Sequence, residues 1–325
     1  MKKSNFYYWA SDLRKNSGEG VLGNKFLSDL KKYYNNTAFI KISQNHHNYS
    51  TFYNKYFLNL FGALKLWKYY FKGYRTVYIN YLPIWNFTIF LILPPKTILG
   101  PITGSLIYDK QSLLQYILRG ILIKILKDIS LFIIFFRQKK ILFSTELLKS
   151  IIPKKKYKIC YFNYVFKVFP GFQKKKNKRN IDFLIYNRSH NNRNNALIEY
   201  FINNTSEEKF KIIVVGDPIN SSYVHNKGYI NRNKLLSLLA NTKFTFGSSE
   251  NLYTLFVLDA ISKNVTIFCD KNLKKSNILK YKKLFLVNFT SFNKTTNYIV
   301  NKEYKFKNKN IKNNFIKNNY EKYFV

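Results

Sequence analysis

The residues able to do chemistry cluster just after short apolar runs. In the second half, "IDFLIYN" is followed by "RSHNNRNN", which sets Arg188 and Arg193 five residues apart where a helix begins. Two guanidiniums beside a helix N-terminus form a clamp for pyrophosphate, because planar N–H forks and free backbone N–H groups both favour anionic oxygens. A solvated basic loop has the same composition. "KIIVVG" ends on Gly216, with Asp217 in the turn behind it. Further on, "FTFGSSENLYTLFVLDAI" places Ser248, Ser249, Glu250 and Asn251 ahead of Tyr253 and Thr254, the residue types of an ordinary helix cap. Asp259 lies on the apolar stretch behind them, and a buried carboxylate needs a partner.

The first half offers softer signals. "SDLRKNSGEGVLGNKF" puts Gly18 and Gly20 on either side of Glu19 at the start of a helix. Glycines there let backbone approach a ligand and the helix end offers N–H groups to an anion, although a plain turn reads the same way. "GPITGS" supplies Thr103, Gly104 and Ser105 at a strand end, and "YINYLPIW" brings Asn80, Tyr81 and Trp85 to the end of its neighbour. Aromatic rings and amides converging on a cleft suit sugar recognition, by stacking on ring faces and by hydrogen bonds to hydroxyls. Turn chemistry with core aromatics is the alternative.

Strands and helices alternating along the chain must position these groups. Strands are expected at "NFYYWA", "AFIKIS", "TVYIN", "TILGPIT", "KILFST", "KICYFN", "IDFLIYN", "KIIVVG", "KFTFGS", "VTIFCD" and "LFLVNF". Helices are expected over 23–34, 53–71, 85–93, 111–136, 194–202, 232–239, 253–262 and 272–281. Such alternation predicts an α/β protein with parallel sheets covered on both faces. In those sheets ligands bind outside the carboxyl ends of the strands. The basic, aperiodic stretch "GFQKKKNKRN" (171–180) reads as a linker, with one domain over 1–170 and a second over 181–300. The Lys- and Asn-rich stretch 301–325 is either a helix docking back on the body or a solvated tail.

With 325 residues and 46% hydrophobic content, the chain has enough apolar material for two domains. The formal net charge of +39 fits a polyanionic partner such as nucleic acid or an anionic membrane. It also fits the Lys-, Asn- and Ile-rich usage of an AT-rich genome. Basic residues are spread throughout and no nucleic-acid module is recognisable, which argues against nucleic acid. Cys160 and Cys269 read as buried reduced thiols of a cytosolic protein. No signal-peptide core follows the N-terminus, and "GILIKILKDISLFIIFF" (120–136) is interrupted by Lys124, Lys127 and Asp128, short of the roughly 20 apolar residues a span needs. It reads as a buried or interfacial helix, one that could bring the chain to the inner face of the cell membrane.

Over residues 181–289 the chain resembles the nucleotide-binding domain of the retaining glycosyltransferases called group 1 or family four. Arg188 and Arg193 match the two basic positions, Gly216–Asp217 the strand end, Gly228 with "NKLLSLL" the helix before the donor loop, and Asp259–Ala260 the second acid. The first acid departs from the pattern: Asn251 stands at its spacing and Glu250 one residue further. The resemblance implies a GT-B fold of two Rossmann-like domains facing a cleft, with the acceptor side on the first. It also implies transfer of a hexosyl unit from a nucleotide-diphosphate sugar to a saccharide or lipid-linked acceptor, as in lipopolysaccharide or other surface-glycan assembly, without cofactor or metal. In that reading Arg188, Arg193 and Glu250 serve catalysis. The same three residues, with Gly18, Gly20, Gly216, Asn251, Tyr253, Thr254 and Asp259, hold the donor, while Asn80, Tyr81, Trp85, Thr103, Gly104 and Ser105 face the acceptor. The rivals are an inactive saccharide-binding relative, a basic nucleic-acid-binding protein and an inverting fucosyltransferase, whose donor-site strand "FTFGSSEN" faintly resembles.

Overall fold

A computed structural model of the chain describes residues 5–15, 17–42, 52–80, 82–104, 121–172, 179–188, 195–205, 210–248, 251–270, 281–287 and 323, with the side chains of 52–56 excepted. The chain divides into two compact units that change over between Val168 and Phe169.

The first unit is built on a parallel sheet of β1 (Phe6–Trp9), β2 (Phe39–Lys41), β3 (Arg75–Tyr78) and β4 (Ile98–Leu99), in the order β2-β1-β3-β4. Past β4, Ile102 pairs with Phe143 at the end of β5 (Ile141–Leu142), and β5 pairs with β6 (Cys160–Tyr161). Because side chains alternate along a strand, β1 and β3 feed two cores. Trp9 and Tyr78 point to one face and pack with Ala63 and Leu66 of α2 (Phe52–Phe71), Ile89 and Phe90 of α3 (Phe87–Ile92), and Leu131 and Ile134 of α4 (Ile123–Arg137). Phe6, Tyr8 and Val77 point to the other, against Leu22, Phe26 and Leu30 of α1 (Gly18–Tyr33). Tyr323 joins this second core, its ring beside Phe26 and Tyr161 and its hydroxyl donating to the Leu99 carbonyl.

Two contacts fix the helices of the first face. Gly62 of α2 lies directly on the Trp9 indole, where any Cβ would overlap the ring. The C-terminal carbonyls of α3, which no helical N–H can reach, accept instead from the Arg137 guanidinium at Phe90, Leu91 and Leu93 and from the Trp67 indole at Ile92.

The second unit is a six-stranded parallel sheet in the order β12-β11-β10-β7-β8-β9, with β7 Ile181–Asn187, β8 Ile212–Gly216, β9 Val224–Asn226, β10 Thr242–Phe246, β11 Thr266–Asp270 and β12 Leu284–Val287. Phe183 centres its core: the ring meets Phe201 of α5 (Ala196–Asn203), Phe246 and Phe268. Among the described residues the other α-helices of this unit are α6 (Arg232–Ala240) and α7 (Leu255–Ser262). Ahead of β7, Arg179 donates to the carbonyls of Thr242, Lys263 and Asn264 and so ties the start of this sheet to the end of α7.

Among the described residues every strand pairing is parallel, as the alternation predicts. The helix expected over 111–136 is described from residue 121 on, and the one expected over 272–281 lies outside the described residues. β9 and the short 3₁₀ helices Glu146–Ile151, Lys154–Ile159 and Tyr164–Val168 were not anticipated, being too short to show a period. Both cysteines are buried and free, and burial pushes each thiol up to about 12.

Candidate functional site

In each unit the strand order reverses once, and at that reversal two neighbouring strands send their chains to opposite sides. Between them a crevice opens at the carboxyl ends, the place where α/β sheets take ligands. In the second unit this point lies between β7 and β10, and in the first between β1 and β3.

In the second unit the ends of β7 and β8 are closed on each other. Asn187 accepts at its carbonyl from the Asp217 N–H (2.9 Å), and its side-chain amide donates to the Asp217 carbonyl (3.1 Å). Gly216 sits between them at φ +98, and a Cβ there would overlap the Asn187 carbonyl, so glycine is required on two counts. Asp217 in turn accepts from the exposed Tyr229 hydroxyl, and this bond holds the phenol above its ordinary value. Arg188 is exposed at the same edge, close enough for its charge to be felt at Tyr229. Arg188, Gly216 and Asp217 of the sequence reading are thus together, joined by Tyr229, which the sequence reading did not single out.

The donor-loop residues stand at the entry to α7. Asn251 accepts from the Tyr253 N–H (2.9 Å) and Thr254 caps the helix by accepting from Val257 (3.4 Å). Tyr253 is buried, its side chain committed to the core. Asp259 is 1% exposed and accepts both arms of Arg232 from α6, at 2.9 and 2.6 Å. Burial pushes the Asp259 carboxyl up, and the Arg232 guanidinium pulls it only part of the way back. The partner that a buried carboxylate requires is therefore supplied from within the unit. Arg193 and Glu250 lie outside the described residues.

In the first unit the switch point is occupied by Asp12 and Asn80. Asn80, at the end of β3, accepts from the Ser11 N–H and hydroxyl (2.9 Å each) and donates to the Asp12 carbonyl. Asp12 accepts from the Arg14 backbone N–H (2.8 Å), from both arms of its guanidinium (3.1 and 3.0 Å) and from the Ser17 hydroxyl (2.6 Å). Burial raises the Asp12 carboxyl, but these hydrogen bonds together outweigh it and hold the group below its ordinary range. Ser17 also caps α1, accepting from the Gly20 N–H (2.9 Å). Gly20 has no room for a Cβ beside the Arg14 backbone, which explains one glycine of the "NSGEG" loop by packing; Gly18 opens the helix.

This loop therefore holds a half-exposed guanidinium at the mouth of a 16-residue helix, oriented by a buried carboxylate. Sequence reasoning named Asn80 and the glycines but missed Asp12, Arg14 and Ser17. The signal present was an Asp and a Ser bracketing an Arg between a strand and a glycine pair. Trp85 is half-buried, and Thr103 is fixed by backbone pairing with Leu82 and Ile84 (3.0 and 2.8 Å), with Gly104 following against Ile84. Tyr81 and Ser105 lie outside the described residues. Among the described residues no group of three His, Cys, Asp or Glu side chains is arranged to hold a metal ion.

No protein-family model matches the chain, and no curated protein matches it by sequence. Solved structures match it by shape. The UDP-GlcNAc 2-epimerase of Methanocaldococcus jannaschii, solved with UDP-GlcNAc and UDP, superposes with a TM-score of 0.51 at 11% identity, over 92% of this chain and 93% of that one. This chain has the GT-B fold. A GtfA/B complex matches with a TM-score of 0.43 at 11% identity over 74% of this chain, which spans 54%, about half, of that one. The Escherichia coli heptosyltransferase WaaC, solved with ADP-2-deoxy-2-fluoro heptose, matches with a TM-score of 0.34 at 9% identity, over 91% and 99% of the two chains. At these identities the likeness is one of fold.

Proposed function

We propose that the chain is a glycosyltransferase that moves a hexosyl unit from a nucleotide-diphosphate sugar to a saccharide or lipid-linked glycan acceptor. The observation that carries this reading is the switch point of the second unit. There Arg188 stands exposed beside a β8 end at which glycine is obligatory, and the capped N-terminus of α7 follows the neighbouring strand. Departure of a nucleoside diphosphate needs its developing charge stabilised. A guanidinium and helix N–H groups supply that without a metal. Arg188 and Arg193 are assigned to the pyrophosphate, with Glu250 or Asn251 to the sugar. Retention at the anomeric carbon, as in the group 1 enzymes that residues 181–289 resemble, is part of the proposal. Asp259, buried and held by Arg232, is assigned to shaping the donor loop and not, as the resemblance implies, to the ribose.

Arg14 and the α1 N-terminus lie at the other switch point, where we place the acceptor side together with Asn80, Tyr81, Trp85, Thr103, Gly104 and Ser105. The epimerase of similar fold was solved with a nucleotide sugar, the ligand class proposed here. Its coverage of nearly the whole chain also favours a second reading, in which the nucleotide sugar is epimerised without an acceptor.

The test is thermal stabilisation by UDP, GDP, ADP and CMP, with Arg188→Ala alongside. One nucleotide should raise the melting temperature, by about 2–4 °C at a hundredfold excess over its Kd, and the variant should lose that rise. No shift with any nucleotide sinks both readings. Given a shift, the matching nucleotide sugar is incubated without acceptor. Conversion to a sugar epimer, seen by NMR, selects the second reading over the first.

A further inference from the structure

The first unit carries an apolar surface that its own core does not use. α2 turns Ala63 and Leu66 inward and Phe57, Phe61, Leu64 and Phe71 outward, the last 77% exposed. α4 turns Ser130, Leu131 and Ile134 inward and Ile125, Ile129, Phe132 and Phe136 outward, the last two 74% and 85% exposed. Spacings of three, four and seven residues put each outward set on one stripe of its helix. α3 lies between them, touched by Trp67 of α2 at Ile92 and by Arg137 of α4 at Phe90, and its Leu91 side chain is itself exposed. All three helices cover the same face of the sheet, so their outer sides look the same way. Lone exposed apolar residues are ordinary on a protein surface, but stripes on adjacent helices make a patch that marks a partner.

The charges around the patch say which partner. Lys68, Lys72, Lys124 and Lys139 are exposed on or beside it, and Lys65 lies over the Phe61 ring. α2 contains no acidic residue, and α4 presents Asp128 alone. We propose that this face docks on an anionic lipid bilayer, with the aromatic and aliphatic side chains in the acyl boundary and the lysines at the phosphates. The chain lies on the bilayer rather than through it: among the described residues no helix is long and apolar enough to cross. A second copy of the chain fits the surface poorly, since a two-fold interface would set these lysines against one another. The proposal does not depend on the ligand assigned to the switch points.

The experiment is co-sedimentation of the full chain with vesicles of phosphatidylcholine, with and without about a third phosphatidylglycerol. The anionic vesicles should bind it and the neutral ones bind it much less. Phe132→Ser combined with Phe136→Ser should lower the partition coefficient at least about tenfold while leaving the melting temperature unchanged, because both rings are exposed. Phe132→Trp provides a second readout: its fluorescence should shift to the blue and be quenched by brominated acyl chains. Three outcomes overturn the proposal. They are no binding to anionic vesicles at low salt, binding undiminished in the double variant (charge alone), and a dimer in sedimentation velocity that the double variant dissociates.

Discussion

Asp12 illustrates how one side chain can set a loop. It is buried, yet four hydrogen bonds from Arg14 and Ser17 keep it ionised and below its ordinary range. A carboxylate whose folded value is depressed stabilises the protein above its unfolded value of about 3.9, and this contribution is lost as pH falls through the folded value. The wild-type melting temperature should therefore drop below about pH 4 more steeply than that of Asp12→Asn, which lacks the titrating group. Melting curves between pH 3 and 7 decide it, and parallel acid limbs for the two proteins would rule the account out. The same residue shows a limit of sequence reading. "SDLRKNS" contains the acid, the guanidinium and the hydroxyl, but nothing in their spacing says that they close on one another around Asn80, 68 residues further along.

At the scale of elements, the helices and longer strands were legible because their burial has a period. β7 was read at its observed bounds from "IDFLIYN", fully buried on one side of the sheet and partly buried on the other. Strand order was not legible: nothing local distinguishes β10 beside β7 from β10 beside β9. The pairing of α6 with α7 through Arg232 and Asp259 was half legible. An acid in "LFVLDAI" announces that it needs a partner, but it does not name an arginine 27 residues back. Arg232→Ala should cost about 3 kcal/mol, because it strands a buried carboxylate that burial already disfavours. Asp259→Asn should cost less, since its neutral amide needs no counter-charge. Urea denaturation of the two variants provides the comparison, and an Arg232→Ala protein within about 0.5 kcal/mol of wild type would mean that the pair contributes nothing to stability.

For the molecule as a whole, 55 basic residues stand against 16 acidic ones. So large an excess repels itself in the compact state, and added salt screens that repulsion. The melting temperature should rise as KCl goes from about 20 to 300 mM, opposite to the trend for a protein held by surface ion pairs. A flat or falling curve would show that the charges are arranged to neutralise locally. One contact described above gives the first unit a mechanical character. The Trp9 indole fills the notch at Gly62, so α2 cannot slide along the sheet without lifting over a ring. A push on the outer helical layer is then not absorbed by slippage. It is passed like a thrust through a key and keyway into β1, the strand that leads into the loop of Asp12.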